Sequence, residues 1–405
     1  MVRRVAVRGA DRIDPALDPE SHRASSGEHV TLLLAAMAMA IAVASGPVLW
    51  PLAYPIPHVF DVAGPRSDGR LVVAAGGKLF LMDQVTGALD RFAGGPGGYP
   101  GAGGEEPYIA VVPAAVAGHT TFRADDVFVL QLKPAGGVIR IDSAGIAHPF
   151  ANVAAVDLLN GIAFDATGAF GYRLLVTGAH AHHSTVAAID GGGQVTVITA
   201  QAPTVEGGLA VAPSSFGRFA DDLIAPDELS GKVYAIAPDG SSQVVATPAL
   251  AHGGDVGVEA AGFIPDIELA RATVYFADRA TPGNVHPGTD NLLAINGAEL
   301  ARAGAAAGDL LVGTEGGAGL VAVRCDLARC RVTPVIADNG TSHGEGHIVV
   351  AMGPASAAFG PAPAAVRSST PPTPVALVWG FIAAGLIVAV LALALAVTMR
   401  RRRPA

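Results

Sequence analysis

Short apolar runs punctuated by glycine, aspartate, asparagine and proline fill the middle of the chain. DDVFVLQ, GGVIRIDSAG and IAHPFA follow one another. YRLLVTG, STVAAIDGGG and QVTVIT repeat the pattern, as do DDLIAPD, GKVYAIAPDG and SQVVAT. Each run has the length of a β-strand, and the intervening residues are those that tolerate turn geometry. IDGGGQV and APDGSSQV read as tight hairpins. Each triplet is preceded by a polar or acidic residue, one or two small residues and another apolar run. Such starts occur at Glu105, Leu158, Val205 and Val258, spaced by about 50 residues, and again at Gly344. Four antiparallel strands in a tandem unit of this length predict a β-propeller.

The count predicts an all-β, six-bladed propeller over residues 54–352, closed by a C-terminal strand. GRLVVAAGGKLFLMDQVTGALDRFAGG shows three strands and no inner one. GEGHIVVAM is an inner strand with no sequel. Pairing Ile348–Val350 with Leu71–Ala74 would complete a blade and leave no open edge. Residues 299–337 supply a sixth unit, with ELARAG as its expected inner strand and Cys325 and Cys330 on its outer hairpin.

Two apolar stretches fall outside this pattern. Residues 375–399 carry no charge and are followed by Arg400 to Arg403, which predicts a transmembrane helix with its C-terminal end (400–405) in the cytoplasm. Residues 30–53 are a signal peptide, with Ala42-Val43-Ala44 as a cleavage pattern, or a second transmembrane helix. Residues 1–29 are then a leader or a cytoplasmic segment. Residues 353–374 are rich in Pro, Ala and Ser and read as a stalk. The expected location is the cell membrane, with the propeller on the extracellular side.

The chain has 405 residues and a formal net charge of −9. With no basic patch outside the termini, a nucleic-acid partner is excluded. The expected contacts are the membrane, through the C-terminal helix, and an extracellular ligand or protein. On the outer side of a membrane, the two cysteines in CDLARC read as a local disulfide between Cys325 and Cys330.

Residues just before the inner strands should ring one mouth of the central channel. These are Glu106, Asn160, Glu206, Glu259 and Glu345, with Glu299 a weaker sixth. Carboxylates crowded together repel unless a cation or protons intervene. Oxygen donors around a channel suit Ca²⁺ or another divalent cation. The alternative metal ligands are His343 and His347, which flank Glu345 in HGEGH. His180, His182 and His183 read as solvated loop residues.

NGIAFDATG, with GGLAVAPSSFG following an acid, resembles the repeat of the gluconolactonase and senescence-marker-protein family and of NHL-like six-bladed propellers. The resemblance covers residues 105–247. It implies a cation held by a Glu and an Asn at inner-strand starts, with an Asp, that polarises a lactone. Asn160 matches the Asn-Gly motif and Glu206 a ring carboxylate. The family's Glu-x-Pro start is absent from the first blade, and VEAAGFIPDIELA stands where its catalytic Asp-Gly segment would be. Two functions remain open: a ligand- or protein-binding module anchored in the membrane, or a divalent-metal-dependent hydrolase of the lactonase type.

Overall fold

The computed structural model describes residues 46–352, apart from 96, 97, 100–105, 134, 157 and 181. Strands are numbered along the chain, and β1 (Leu52–Pro55) is an outer strand of the last blade. Blade one is β2 (Val59–Ala63), β3 (Leu71–Ala75), β4 (Lys78–Met82) and β5 (Leu89–Ala93). Blade two is β6 (Ile109–Val111), β7 (Val127–Gln131), β8 (Gly137–Ile141) and β9 (Ala147–Asn152). Blade three is β10 (Leu158–Phe164), β11 (Leu174–His180), β12 (His183–Ile189) and β13 (Val195–Ala202). Blade four is β14 (Ala210–Val211), β15 (Leu223–Asp227), β16 (Lys232–Ile236) and β17 (Ser242–Ala246). The remaining strands are β18 (Val258–Phe263), β19 (Ala272–Asp278), β20 (Asn291–Asn296), β21 (Leu310–Thr314), β22 (Leu320–Cys325), β23 (Cys330–Ile336) and β24 (Gly344–Met352). Among the described residues these make six four-stranded antiparallel sheets, as the repeat implied.

The burial pattern follows from a strand's place in its blade. β19 is buried at every position because both faces of an inner pair pack on neighbouring blades. β13, an outer strand, mixes exposed and half-buried positions and reaches full burial only at its end. Inner strands therefore read as continuous apolar runs, and outer strands look more polar. Apolar clusters fill the wedges between blades, for example Val59, Val62, Tyr275 and Val349 between blades one and six.

Closure uses the C-terminal strand, but its partner differs from the expected one. β24 pairs with β19, with Thr273 opposite Ala351 and Tyr275 opposite Val349. It does not complete the blade of Leu71–Ala75, because that blade has its own inner strand: β2 pairs with β3, Val62 opposite Val73. The short VFDVA run ahead of the cis Gly64-Pro65 bond is this strand. The sixth sheet runs β24, β19, β20, β1, so the two ends of the propeller meet in one blade.

Blades five and six are interleaved. The chain enters blade five as β18, leaves to build β19 and β20 of blade six, and returns as β21, β22 and β23 of blade five. β18 pairs with β21, Ala261 opposite Val312. VEAAGF is thus the inner strand of the unit at 310–336, and ELARAG is not. Gly297–Arg302 is instead a short helix, capped by Asn296, whose side chain accepts from the N–H groups of Ala298 and Glu299. Glu299 faces Arg302 on that helix and takes no place in the ring.

Residues 46–53 belong to the propeller, which corrects the expected boundary at residue 54. Val48 N–H donates to Val335 O, Trp50 Nε1 donates to Ala318 O, and Leu52 and Ala53 pair with Ala294 and Leu293. Cys325 and Cys330 are disulfide-bonded across the β22–β23 hairpin, as expected. Among the described residues no helix is long and apolar enough to cross a membrane. The segments 30–45, 353–374 and 375–399 lie outside the described residues.

Candidate functional site

Every inner strand starts at the same end of the channel. Antiparallel pairing returns the end of each second strand to that end too. Glu106, Glu206, Glu259 and Glu345 come from inner-strand starts. Glu228, Arg279 and Glu315 come from the residues that follow β15, β19 and β21. The register confirms the meeting: Ala277 is opposite Glu345, Glu315 N–H donates to Gly257 O, and Glu206 N–H donates to Pro226 O.

The carboxylates form a connected, largely covered cluster. Tyr108 Oη lies 2.5 Å from Glu259 Oε1 and 2.6 Å from Glu345 Oε1. A phenol has one hydrogen, so one of the two carboxyl groups must supply a proton of its own. Burial, reinforced by Glu345 and Glu315, pushes the Glu259 carboxyl well above its ordinary range. Burial and the Glu106 charge also raise Glu345, against the pull of Arg279. Burial raises Glu315, and burial with Glu228 raises Glu206. Arg279 Nη1 sits 3.3 Å from Glu106 Oε1 and 3.1 Å from Glu345 Oε2, toward the solvent side.

The metal-ligating geometry centres on Glu315, His343 and Glu345. One ligand atom from each lies within 4.8 Å of the others. His343 Nε2 is 3.3 Å from Glu315 Oε1, and all three residues are buried. Glu315 Oε2 and His343 Nδ1 are enclosed with no hydrogen-bond partner. Burial lowers the His343 pKa, which keeps its ring neutral and able to ligate. Two carboxylates and an imidazole are a donor set for a divalent cation, so the residues present fit one.

Sequence reasoning found Glu106, Glu206, Glu259, Glu345 and His343 here. Asn160 is placed differently: its amide donates to Val205 O at 3.0 Å and accepts from Thr177 Oγ1 at 3.1 Å, so both ends serve the framework between blades three and four. His347 lies deeper. Its Nδ1 is 3.0 Å from Asp61 Oδ2 and its Nε2 is 2.8 Å from Ile162 O. Both partners only accept, so both ring nitrogens donate and the ring is an imidazolium. Burial disfavours that charge, yet Asp61 and the Ile162 carbonyl outweigh it and the ring's pKa is raised. His347 is therefore a crossbar from blade six to blades one and three. Asp61 also accepts from the N–H groups of Val62, Ile109 and His347. Gly346 makes the approach possible: its φ is +72°, and a Cβ there would strike the Asp61 carboxylate.

Sequence reasoning missed Tyr108, Glu228, Arg279, Glu315 and Asp61. Glu228, Arg279 and Glu315 share a signal, a charged residue directly after a second strand in PDELSG, ADRATPG and GTEGG. Beyond the crossbar lies a cavity of about 320 Å³ lined by Val62, Ile109, Val111, Phe164, Val211 and Phe263, among others.

No protein-family model matches the chain, and no curated protein matches it in sequence. The six-bladed architecture is similar to that of solved propellers. Virginiamycin B lyase from Staphylococcus aureus shares 12% identity over 74% of this chain and 95% of that chain, with a TM-score of 0.41. Regucalcin from Agrobacterium tumefaciens strain C58, described as a calcium-binding protein, shares 10% over 73% and 82%, with a TM-score of 0.41. A gluconolactonase-family protein shares 14% over 57% and 71%, with a TM-score of 0.34. These are likenesses of fold, and no residue's role is taken from them.

Proposed function

We propose that the protein is a divalent-cation-dependent hydrolase of the lactonase type, held on the outer face of a membrane. The observation that carries this reading is the buried Glu315–His343–Glu345 group, with Glu315 Oε2 and His343 Nδ1 left without partners. A divalent cation held by these residues would polarise a substrate carbonyl. Arg279, at the solvent side of Glu345, can bind the oxygen on which negative charge develops. Glu259, whose protonated form burial favours, holds the proton shared with Tyr108 Oη and leaves Glu345 ionised as a cation ligand.

Membrane attachment belongs to the same proposal. With residues 46–53 in the propeller, the N-terminal apolar segment reduces to 30–45, shorter than the roughly 20 residues of a spanning helix, which supports a cleaved signal peptide. Anchorage then falls to residues 375–399. The Cys325–Cys330 disulfide fits an oxidising compartment.

One observation favours a second reading. Glu345 is 0% and Glu259 3% exposed, so a substrate has little direct access to them. In that case the cation is structural, and the propeller binds an extracellular ligand or protein. Full-length protein loaded with a divalent cation and offered a panel of small lactones separates the two. The hydrolase reading expects turnover that falls by about 100-fold or more in Glu345→Gln. Absence of turnover from the loaded protein would leave the binding reading.

A further inference from the structure

The half of the channel beyond the crossbar takes no part in the cation reading. All six inner strands, β2, β6, β10, β14, β18 and β24, line its cavity of about 320 Å³. Pro113 and Pro265, just past the ends of β6 and β18, mark its outer rim. The width follows from register. Ala63, Ala110, Ala163, Ala210 and Gly262 each lie opposite the second residue of the neighbouring strand: Val72, Phe128, Leu175, Ile224 and Leu311. At this level of the channel, β2, β6, β10, β14 and β18 thus carry nothing larger than alanine. Protein interiors hold few voids larger than a water molecule, and this space equals about ten water volumes.

The chemistry of the cavity is restricted. At its floor both His347 ring nitrogens are engaged, by Asp61 and by Ile162 O. The Asp61 oxygens accept in turn from the N–H groups of Val62, Ile109 and His347. Apart from His347, every lining residue is Gly, Ala, Val, Leu, Ile, Phe or Pro. A charged ligand would shed its hydration here and find no side chain to replace it. The inner strands pair along one edge only, so the edge facing the axis has backbone N–H and C=O groups for a hydroxyl or a carbonyl. We propose that this cavity binds a small, uncharged, mostly apolar molecule at the end of the ring opposite the carboxylates. An apolar cavity of about 150 Å³ takes up benzene, so about twice that space suits two fused rings. The crossbar closes the floor, which favours a compact molecule over a chain threaded along the axis. The site is separate from the cation reading and does not depend on it.

The test is calorimetric titration of full-length protein with 2-naphthol, which is neutral near neutral pH, and with 2-naphthoate, its anionic counterpart, each against a buffer blank. The expected result is one saturable site per chain for 2-naphthol, unchanged in chelator, with 2-naphthoate weaker by about 10-fold or more. Val211 and Val111 are half-buried on walls formed by blades four and two. Val211→Trp and Val111→Trp should each fill the space and weaken 2-naphthol by about 10-fold or more, in variants that still melt cooperatively. Two walls are tested so that one misfolded variant does not decide the matter. Equal affinity for the two ligands overturns the uncharged class. Undiminished binding in the folded Trp variants puts the ligand elsewhere and overturns the site. Wild type without saturable 2-naphthol binding overturns the proposal, whatever the cation measurements give.

Discussion

The two ends of the central channel are built from the same six inner strands and have opposite chemistry. At one end Glu106, Glu206, Glu228, Glu259, Glu315 and Glu345 gather around Arg279 and His343. At the other the side chains are Val62, Ile109, Val111, Phe164, Val211 and Phe263. Asp61 and His347 divide them. A ring fold needs only apolar wedges between its blades, and the apolar end shows that this suffices to close it. Folding gains nothing from concentrating carboxyl groups that raise one another's pKa. The acidic end is therefore where the chain departs from what stability alone favours, which makes it the candidate functional end.

The largest expected effect comes from breaking the divider. Asp61→Ala would strand the His347 imidazolium and three buried N–H groups, at a cost of about 3–5 kcal/mol by analogy with broken buried pairs. Chemical denaturation measures it. A cost below about 1 kcal/mol, the scale of an exposed ion pair, would show that the crossbar does not hold the ring.

Asn160 tests where the acidic end stops. Asn160→Asp replaces the donor to Val205 O with an acceptor, which should cost about 1–3 kcal/mol. Because this amide serves the framework, added divalent cation should not restore the loss. Restoration by cation would move Asn160 into the ligand set.

The opposite end should ignore cations altogether. Cys325 and Cys330 close the hairpin tip there, and reduction should cost about 2 kcal/mol from a loop this short. That loss should be equal with cation and with chelator. Asp222, just ahead of β15, gives the smallest effect. Burial, aided by Asp221 and Asp239, raises its carboxyl to about 6. A raised carboxyl adds stability that is full below its unfolded pKa of about 3.9 and is lost as pH rises through the folded value. Asp222→Asn should thus gain on wild type in melts at pH 8 and not at pH 4.

How much of this was legible follows the same division. Blade count and the ring of inner-strand glutamates were readable because turns and apolar runs are local signals. The cluster at DLLNGIAF illustrates the limit. Asn160 and Glu259 share a sequence position and sit at the same kind of bulge, yet Glu259 reaches the mouth while the Asn160 amide turns to Val205 and Thr177 of the framework. Glu228, Arg279 and Glu315 escaped notice because their place at the mouth follows from strand pairing, not from a repeated motif. The interleaving of blades five and six was hidden for a related reason. VEAAGF looks like the start of a unit wherever its partner strand lies, and only pairing with Leu310–Thr314 shows which blade it serves.

The central claim is that the acidic end binds a divalent cation in the folded state. A ligand bound only by the folded chain at 100 times its dissociation constant adds about 2.7 kcal/mol. The direct measurement is the melting temperature of full-length protein after dialysis against chelator, and again after millimolar Ca²⁺ or Zn²⁺ is restored. The account expects a rise of several degrees with at least one of the two ions. An identical melting temperature in chelator, calcium and zinc would contradict it.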